Sequence, residues 1–193
     1  MTKTLDFRKP GMTAPASFEL ACPVFFVGFM GAGKTSTARK LARRAGVAAV
    51  DTDTYLERRE GESVADIFSR AGEEAFRAIE ADVLSEIALA EPMIVSCGGG
   101  IVVSEASRRV LKDNGFVIYL QVTAQQAKER IRNFKRRPLF SDLEAAERLC
   151  AERRALYAEV ADATIDTTGH LSGSLARSAF SLLRKEGVLW QRK

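Results

Sequence analysis

PVFFVGFMGAGKTSTARKLARRAG, residues Pro23 to Gly46, reads as a strand, a glycine loop and a helix in direct succession. VFFV is apolar and rich in residues that favour strands. KTSTARKLARRA repeats apolar residues at helical spacing, and Gly46 supplies a helix C-cap. Between them, Gly28 to Thr35 fits the pattern GxxxxGK[ST] in full. Background residue frequencies give such a match in roughly one chain of this length in a hundred or two, and its place between strand and helix makes chance far rarer. The glycines let successive backbone N–H groups curl round a phosphate, and the helix N-terminus adds the positive end of its dipole. The motif therefore predicts nucleotide phosphates on Gly31, Ala32, Gly33, Lys34, Thr35 and Ser36. Lys34 would reach the β- and γ-phosphates and Thr35 would offer its hydroxyl to Mg²⁺.

Working outward, VAAVD, MIVSC, FVIYL and ATIDTT are four more short strand candidates, each followed by a helical stretch. Ser63 and Asp66 have capping-box spacing ahead of a long amphipathic segment that runs through EEAFRAIEADVLSEIALA, and Thr123 caps the helix TAQQAKERIRN. Alternating strands and helices predict an α/β fold of three layers, with a parallel sheet covered on both faces. The chain has 193 residues, no internal repeat and no dividing linker, which fits one domain over 21–193. Residues 1–20 read as a flexible N-terminal tail.

Composition excludes several classes. Apolar residues make up 46% and charged residues 28%, an ordinary soluble balance, and no apolar run approaches a membrane span. Three cysteines, Cys22, Cys97 and Cys150, form no metal-like spacing and suit a reduced, cytoplasmic setting. A net charge of +4 is mild. The basic run KERIRNFKRRP, Lys128 to Pro138, is open to three readings: a solvated face, a nucleic-acid patch or an anion-binding lid.

A phosphate loop alone leaves the reaction open. No NKxD motif of the kind GTPases use to read guanine is present, and the third strand ends in Ser96-Cys97 where larger ATPases carry an acid. Instead, Asp51-Thr52-Asp53 follows the second strand, at its C-terminal end, where open α/β folds bind ligands. If strand geometry persists, both carboxylates turn the same way. Asp51 is placed to hold a magnesium-bound water, and Asp53 to take a hydrogen bond or proton from an alcohol.

GFMGAGKT, DTD, SVADIF, GEEAFRAIE, the triple glycine of SCGGG and RRPL stand in the order and spacing that resemble shikimate kinases, over nearly all of Pro23 to about Leu183. The resemblance implies a P-loop kinase fold whose five-stranded parallel sheet has the order 2-3-1-4-5. It also implies transfer of the γ-phosphoryl of ATP to shikimate, with Mg²⁺, in a monomer that binds neither nucleic acid nor membrane. It gives Asp53 the shikimate hydroxyls, with Lys34 and Arg137 completing the catalytic set. Arg77, steadied by Glu80, and Arg153, beside its alternative Arg154, would hold the shikimate carboxylate. Arg130 would pack on adenine near Asp166-Thr167, within a lid at about 130–142, and residues 51–80 would form the shikimate-binding section. Gly98, Gly99 and Gly100 become a bare floor to the acceptor pocket, letting backbone N–H groups approach the substrate. Cys97 receives no catalytic role and His170 a surface one. The rivals are a gluconate kinase, a nucleoside monophosphate kinase and a non-catalytic nucleotide-binding regulator.

Overall fold

A computed structural model of the chain describes residues 18–130 and 142–192. Arg137, most of the expected lid and most of the expected tail lie outside the described residues.

Five strands form one parallel sheet: β2 (Val24–Val27), β3 (Ala49–Asp51), β4 (Ile94–Ser96), β5 (Phe116–Gln121) and β6 (Ala163–Asp166). Its order is β3-β4-β2-β5-β6, which is 2-3-1-4-5 when these five strands are numbered along the chain. The phosphate-loop strand β2 lies at the centre, and all four of its residues are fully buried. A strand covered on both faces needs apolar residues at every position, which is why VFFV shows no alternation.

Helix α1 (Lys34–Ala45) packs against α7 (Ser172–Lys185), while α4 (Glu105–Asn114) and α6 (Leu143–Val160) lie over β5. Helix α1 buries Ala38, Leu41, Ala42 and Ala45 at helical spacing and ends on Gly46 in the left-handed region, as its sequence predicts. Helix α2 (Thr52–Glu60) is short. Helix α3 (Val64–Ala88) begins at Ser63, whose hydroxyl accepts from the Asp66 N–H at 3.2 Å, and breaks its helical course at Gly72, φ 79° and ψ 176°. Helix α5 (Ala124–Arg130) starts at Thr123, whose hydroxyl accepts from the Gln126 N–H.

Two features differ from the sequence expectation. Within the expected tail, Phe18–Leu20 forms a strand, β1, paired antiparallel with β7 (Leu189–Gln191). Phe18 packs edge-on against Phe180 of α7, so this pair ties the start of the described chain to its end. Second, β3 stops at Asp51 and Asp53 lies in the first turn of α2. The Asp51 carboxylate caps that helix by accepting from the Thr54 N–H at 3.3 Å, so the strand ends where VAAVD ends and the extended geometry does not carry on to Asp53.

Because the sheet is parallel, the C-terminal ends of β2, β3, β4 and β6 share one edge. The phosphate loop, Asp51, Ser96 with the glycines, and Asp166 all follow there.

Candidate active site

The phosphate loop bridges β2 and α1. Gly28 and Gly31 have φ of 140° and 82°, and a Cβ on Gly28 would stand 2.5 Å from the Leu120 carbonyl oxygen, so the loop requires glycine twice over. Gly33, in the left-handed region, starts α1 without a side-chain cap, leaving the first N–H groups of the helix for an anion. Lys34 is buried and donates from Nζ to the Gly28 and Phe29 carbonyls at 2.7 and 3.1 Å. Ala32, within the loop, is buried, and Ser36, in the first turn of α1, is exposed.

Thr35 joins the loop to the sheet. Its Oγ1 donates to Asp51 Oδ2 at 2.9 Å and lies 3.0 Å from Ser96 Oγ. These are hard oxygen donors of the kind magnesium prefers. Among the described residues no group of three or more His, Cys, Asp or Glu side chains could hold a metal. One carboxylate beside a hydroxyl fits an ion that keeps most of its waters and takes other ligands from phosphates. Thr35 and Asp51 are therefore suited to Mg²⁺.

The three glycines after β4 answer to five side chains from three different helices, α2, α3 and α6. A Cβ on Gly98 would come within 2.5 Å of Asp53 Oδ1 and 3.2 Å of Glu80 Oε1. One on Gly100 would meet Arg77 Nη1 at 2.5 Å. The Gly99 carbonyl accepts from Arg153 Nη1 at 3.2 Å and from the Tyr157 hydroxyl at 2.5 Å. The bare backbone thus admits two carboxylates, Asp53 and Glu80, and two guanidinium groups, Arg77 and Arg153, into one small space. The expectation of substrate-facing N–H groups fails at Gly98, whose N–H donates to Thr52 Oγ1 at 2.9 Å.

Arg77 is held from below: Nη1 donates to Glu80 Oε2 at 2.8 Å, while Nη2 reaches Glu73 at 3.2 Å. Glu80 is 3% exposed, and a carboxylate so buried requires such a partner. Burial pushes the Glu80 carboxyl up from its ordinary value, the Arg77 charge and hydrogen bond pull it down, and the Asp53 charge adds to the rise. Arg153 is half-buried on the face of α6 that meets the glycines; Arg154 is exposed and lies beside Thr123 and Cys150. The Nε atoms of Arg77 and Arg153 are buried with no hydrogen-bond partner among the described residues, which leaves each guanidinium a spare donor.

At the far edge, Arg130 of α5 donates to Thr167, from Nη1 to Oγ1 at 2.9 Å and from Nη2 to the carbonyl at 2.5 Å. Asp166, just before it, accepts from the N–H and hydroxyl of Thr168, and these bonds hold its carboxyl below the ordinary value. Cys97 is fully buried, and burial drives its thiol far above the ordinary value. A thiol so held stays neutral, in keeping with a packing role.

Sequence reasoning missed Ser96, Thr52 and Tyr157. Ser96 was visible only as a missing acid, and Tyr157 carried no signal of its own. Their contacts span 61, 46 and 58 residues of chain, and no local pattern carries that information.

A phosphate loop on the central strand of a 2-3-1-4-5 parallel sheet, with acids and arginines gathered at the same edge, defines a P-loop kinase. Residues 30–184 match the model of the shikimate kinase family. The shikimate kinase of Chromobacterium violaceum is 43% identical over 157 residues, covering 80% of this chain and 85% of its own. That of Actinobacillus succinogenes is 37% identical over 164 residues, covering 83% and 94%. A structure of shikimate kinase from Acinetobacter baumannii in complex with shikimate superposes with a TM-score of 0.79 at 33% identity, covering 86% and 94%. A gluconokinase from Sinorhizobium meliloti, at 17% identity and a TM-score of 0.59 over 87% and 94%, shares the fold alone. The chain belongs to the shikimate kinase family.

Proposed function

We propose that this chain transfers the γ-phosphoryl of ATP to the 3-hydroxyl of shikimate, giving shikimate 3-phosphate and ADP on the route to chorismate and aromatic amino acids. The observation that carries the reading is the set of contacts at the glycines: Asp53 against Gly98, Arg153 on Gly99, Arg77 against Gly100. A small cyclic acid needs cations for its carboxylate and an anion for its hydroxyls, and both are gathered there. The Acinetobacter baumannii relative solved with shikimate supports the choice of acid.

On this reading the ATP phosphates lie on the N–H groups from Gly31 to Ser36, and Lys34 exchanges the Gly28 and Phe29 carbonyls for the β- and γ-phosphates. Thr35, and Asp51 through water, would hold Mg²⁺, which would supply neutralisation of phosphate charge. Arg77 and Arg153 take the shikimate carboxylate, for which planar guanidinium groups offer paired donors. That grip turns the 3-hydroxyl toward Asp53. As the oxygen forms its bond to phosphorus and the bond to ADP breaks, Asp53 takes the hydroxyl proton.

Arg137, outside the described residues, would neutralise charge on the transferring group. It would do so from a lid at about 130–142 whose closure keeps water away. Arg130 packs on adenine while Thr167 holds its guanidinium, beside Asp166. Residues 51–80 form the shikimate-binding section. The chain is read as a monomer, and its three free thiols suit the cytoplasm. No helix among the described residues is long and apolar enough to cross a membrane.

The test is ADP release from MgATP with shikimate, gluconate or nucleoside monophosphates as acceptor. Release with shikimate well above the other acceptors is expected; release no greater than with buffer would refute the reading.

A further inference from the structure

Ser96 closes β4 two residues before the glycines and is 2% exposed. The parallel register sets it beside Asp51 on β3, so both polar side chains leave the sheet at one edge. Their shared neighbour is Thr35, whose Oγ1 donates to Asp51 Oδ2 at 2.9 Å and lies 3.0 Å from Ser96 Oγ. A hydroxyl has one proton and two lone pairs, and an ionised carboxylate only accepts. With the Thr35 proton given to Asp51, the Ser96 hydroxyl is the donor in the second bond. Thr35 Oγ1 then has one lone pair engaged and one left.

We infer that Ser96 is a positioning residue for the magnesium-bound nucleotide: its O–H fixes the Thr35 hydroxyl so that the remaining lone pair is kept for the cation. This rests on the reading of Thr35 as a metal ligand. An acid at this strand end would add a second negative charge beside Asp51. Serine orients Thr35 and adds none, so the protein's own donors carry a single carboxylate and the cation depends on the nucleotide phosphates for its hold.

The experiment titrates the full chain calorimetrically with ADP, once with Mg²⁺ and once with EDTA, for the native protein and for Ser96→Ala, Ser96→Thr and Ser96→Cys. Loss of one hydrogen bond to the metal-binding hydroxyl should weaken MgADP about three- to tenfold in the Ala variant, with metal-free ADP changed by less than about twofold. Ser96→Thr, which keeps the hydroxyl, should restore MgADP binding. Ser96→Cys, close in volume but a weak donor, should repeat the magnesium-specific loss and carries the test if the Ala variant does not fold. Unchanged MgADP affinity, or equal weakening with and without metal, would overturn the inference. No shikimate is present, so failure of the acceptor assignment would leave this result standing.

Discussion

The Arg77 guanidinium fills the space that a side chain on Gly100 would need: a Cβ there would lie 2.5 Å from Nη1, 2.7 Å from Nη2 and 2.9 Å from Cζ. Gly100 itself has φ of −96°, which any residue adopts, so glycine is required here for room and not for backbone conformation. Gly100→Ala should therefore fold, because the clash falls on the far end of a flexible side chain. The displaced guanidinium should raise KM for shikimate roughly tenfold or more and leave KM for ATP nearly unchanged, since a small misplacement of a binding group is costly. Steady-state kinetics with each substrate varied in turn checks the split.

Arg153 and Arg154 are adjacent in sequence but not in surroundings. Arg153 reaches the Gly99 carbonyl at 3.2 Å, whereas Arg154 is exposed. Arg153→Ala should weaken shikimate use by roughly 10²-fold in kcat/KM, the scale of one lost charge-assisted pair. Arg154→Ala should stay within about twofold, as an exposed charge does. Equal effects would remove the assignment.

Much of this was legible in the sequence because its signals are local. The phosphate loop needs eight consecutive residues, and the alternation of strands and helices fixed the parallel sheet. What stayed hidden was pairing over distance. Phe18–Leu20 and Leu189–Gln191 are three-residue strands at opposite ends of the chain, too short to show a period. Whether strand geometry persists to Asp53 depends on where the Asp51 carboxylate turns, and its capping of α2 is a contact the sequence does not display. The glycines were legible as bare backbone, but Asp53 and Arg77 as the groups filling that space became visible only once α2 and α3 stood against the loop that follows β4.

Asp53→Asn removes the proton acceptor and keeps the shape. Turnover should fall roughly 10²-fold or more, the usual contribution of a positioned base. MgADP affinity and melting temperature should stay close to those of the native chain, and near-normal turnover would exclude Asp53 from the chemistry.

Glu80 gives stability a pH dependence of defined sign. Its folded pKa is raised above 4.5, chiefly by burial and against the pull of Arg77, so between 4.5 and that folded value the folded state binds more of this proton than the unfolded chain does. The contribution is fully present below 4.5 and is lost as pH rises through the folded pKa. Glu80→Gln should flatten that decline in unfolding experiments run from acidic to neutral pH. It should also raise KM for shikimate several-fold, because an amide no longer neutralises Arg77. A native-like slope would show that Glu80 does not titrate differently on folding.

The most direct measurement is the acceptor dependence of ADP release by the purified chain with MgATP. The contacts of Asp53, Arg77 and Arg153 at the glycines predict release that saturates with shikimate and yields shikimate 3-phosphate, with gluconate giving little above buffer. Release that shikimate does not stimulate, or that gluconate stimulates as well, would contradict the account.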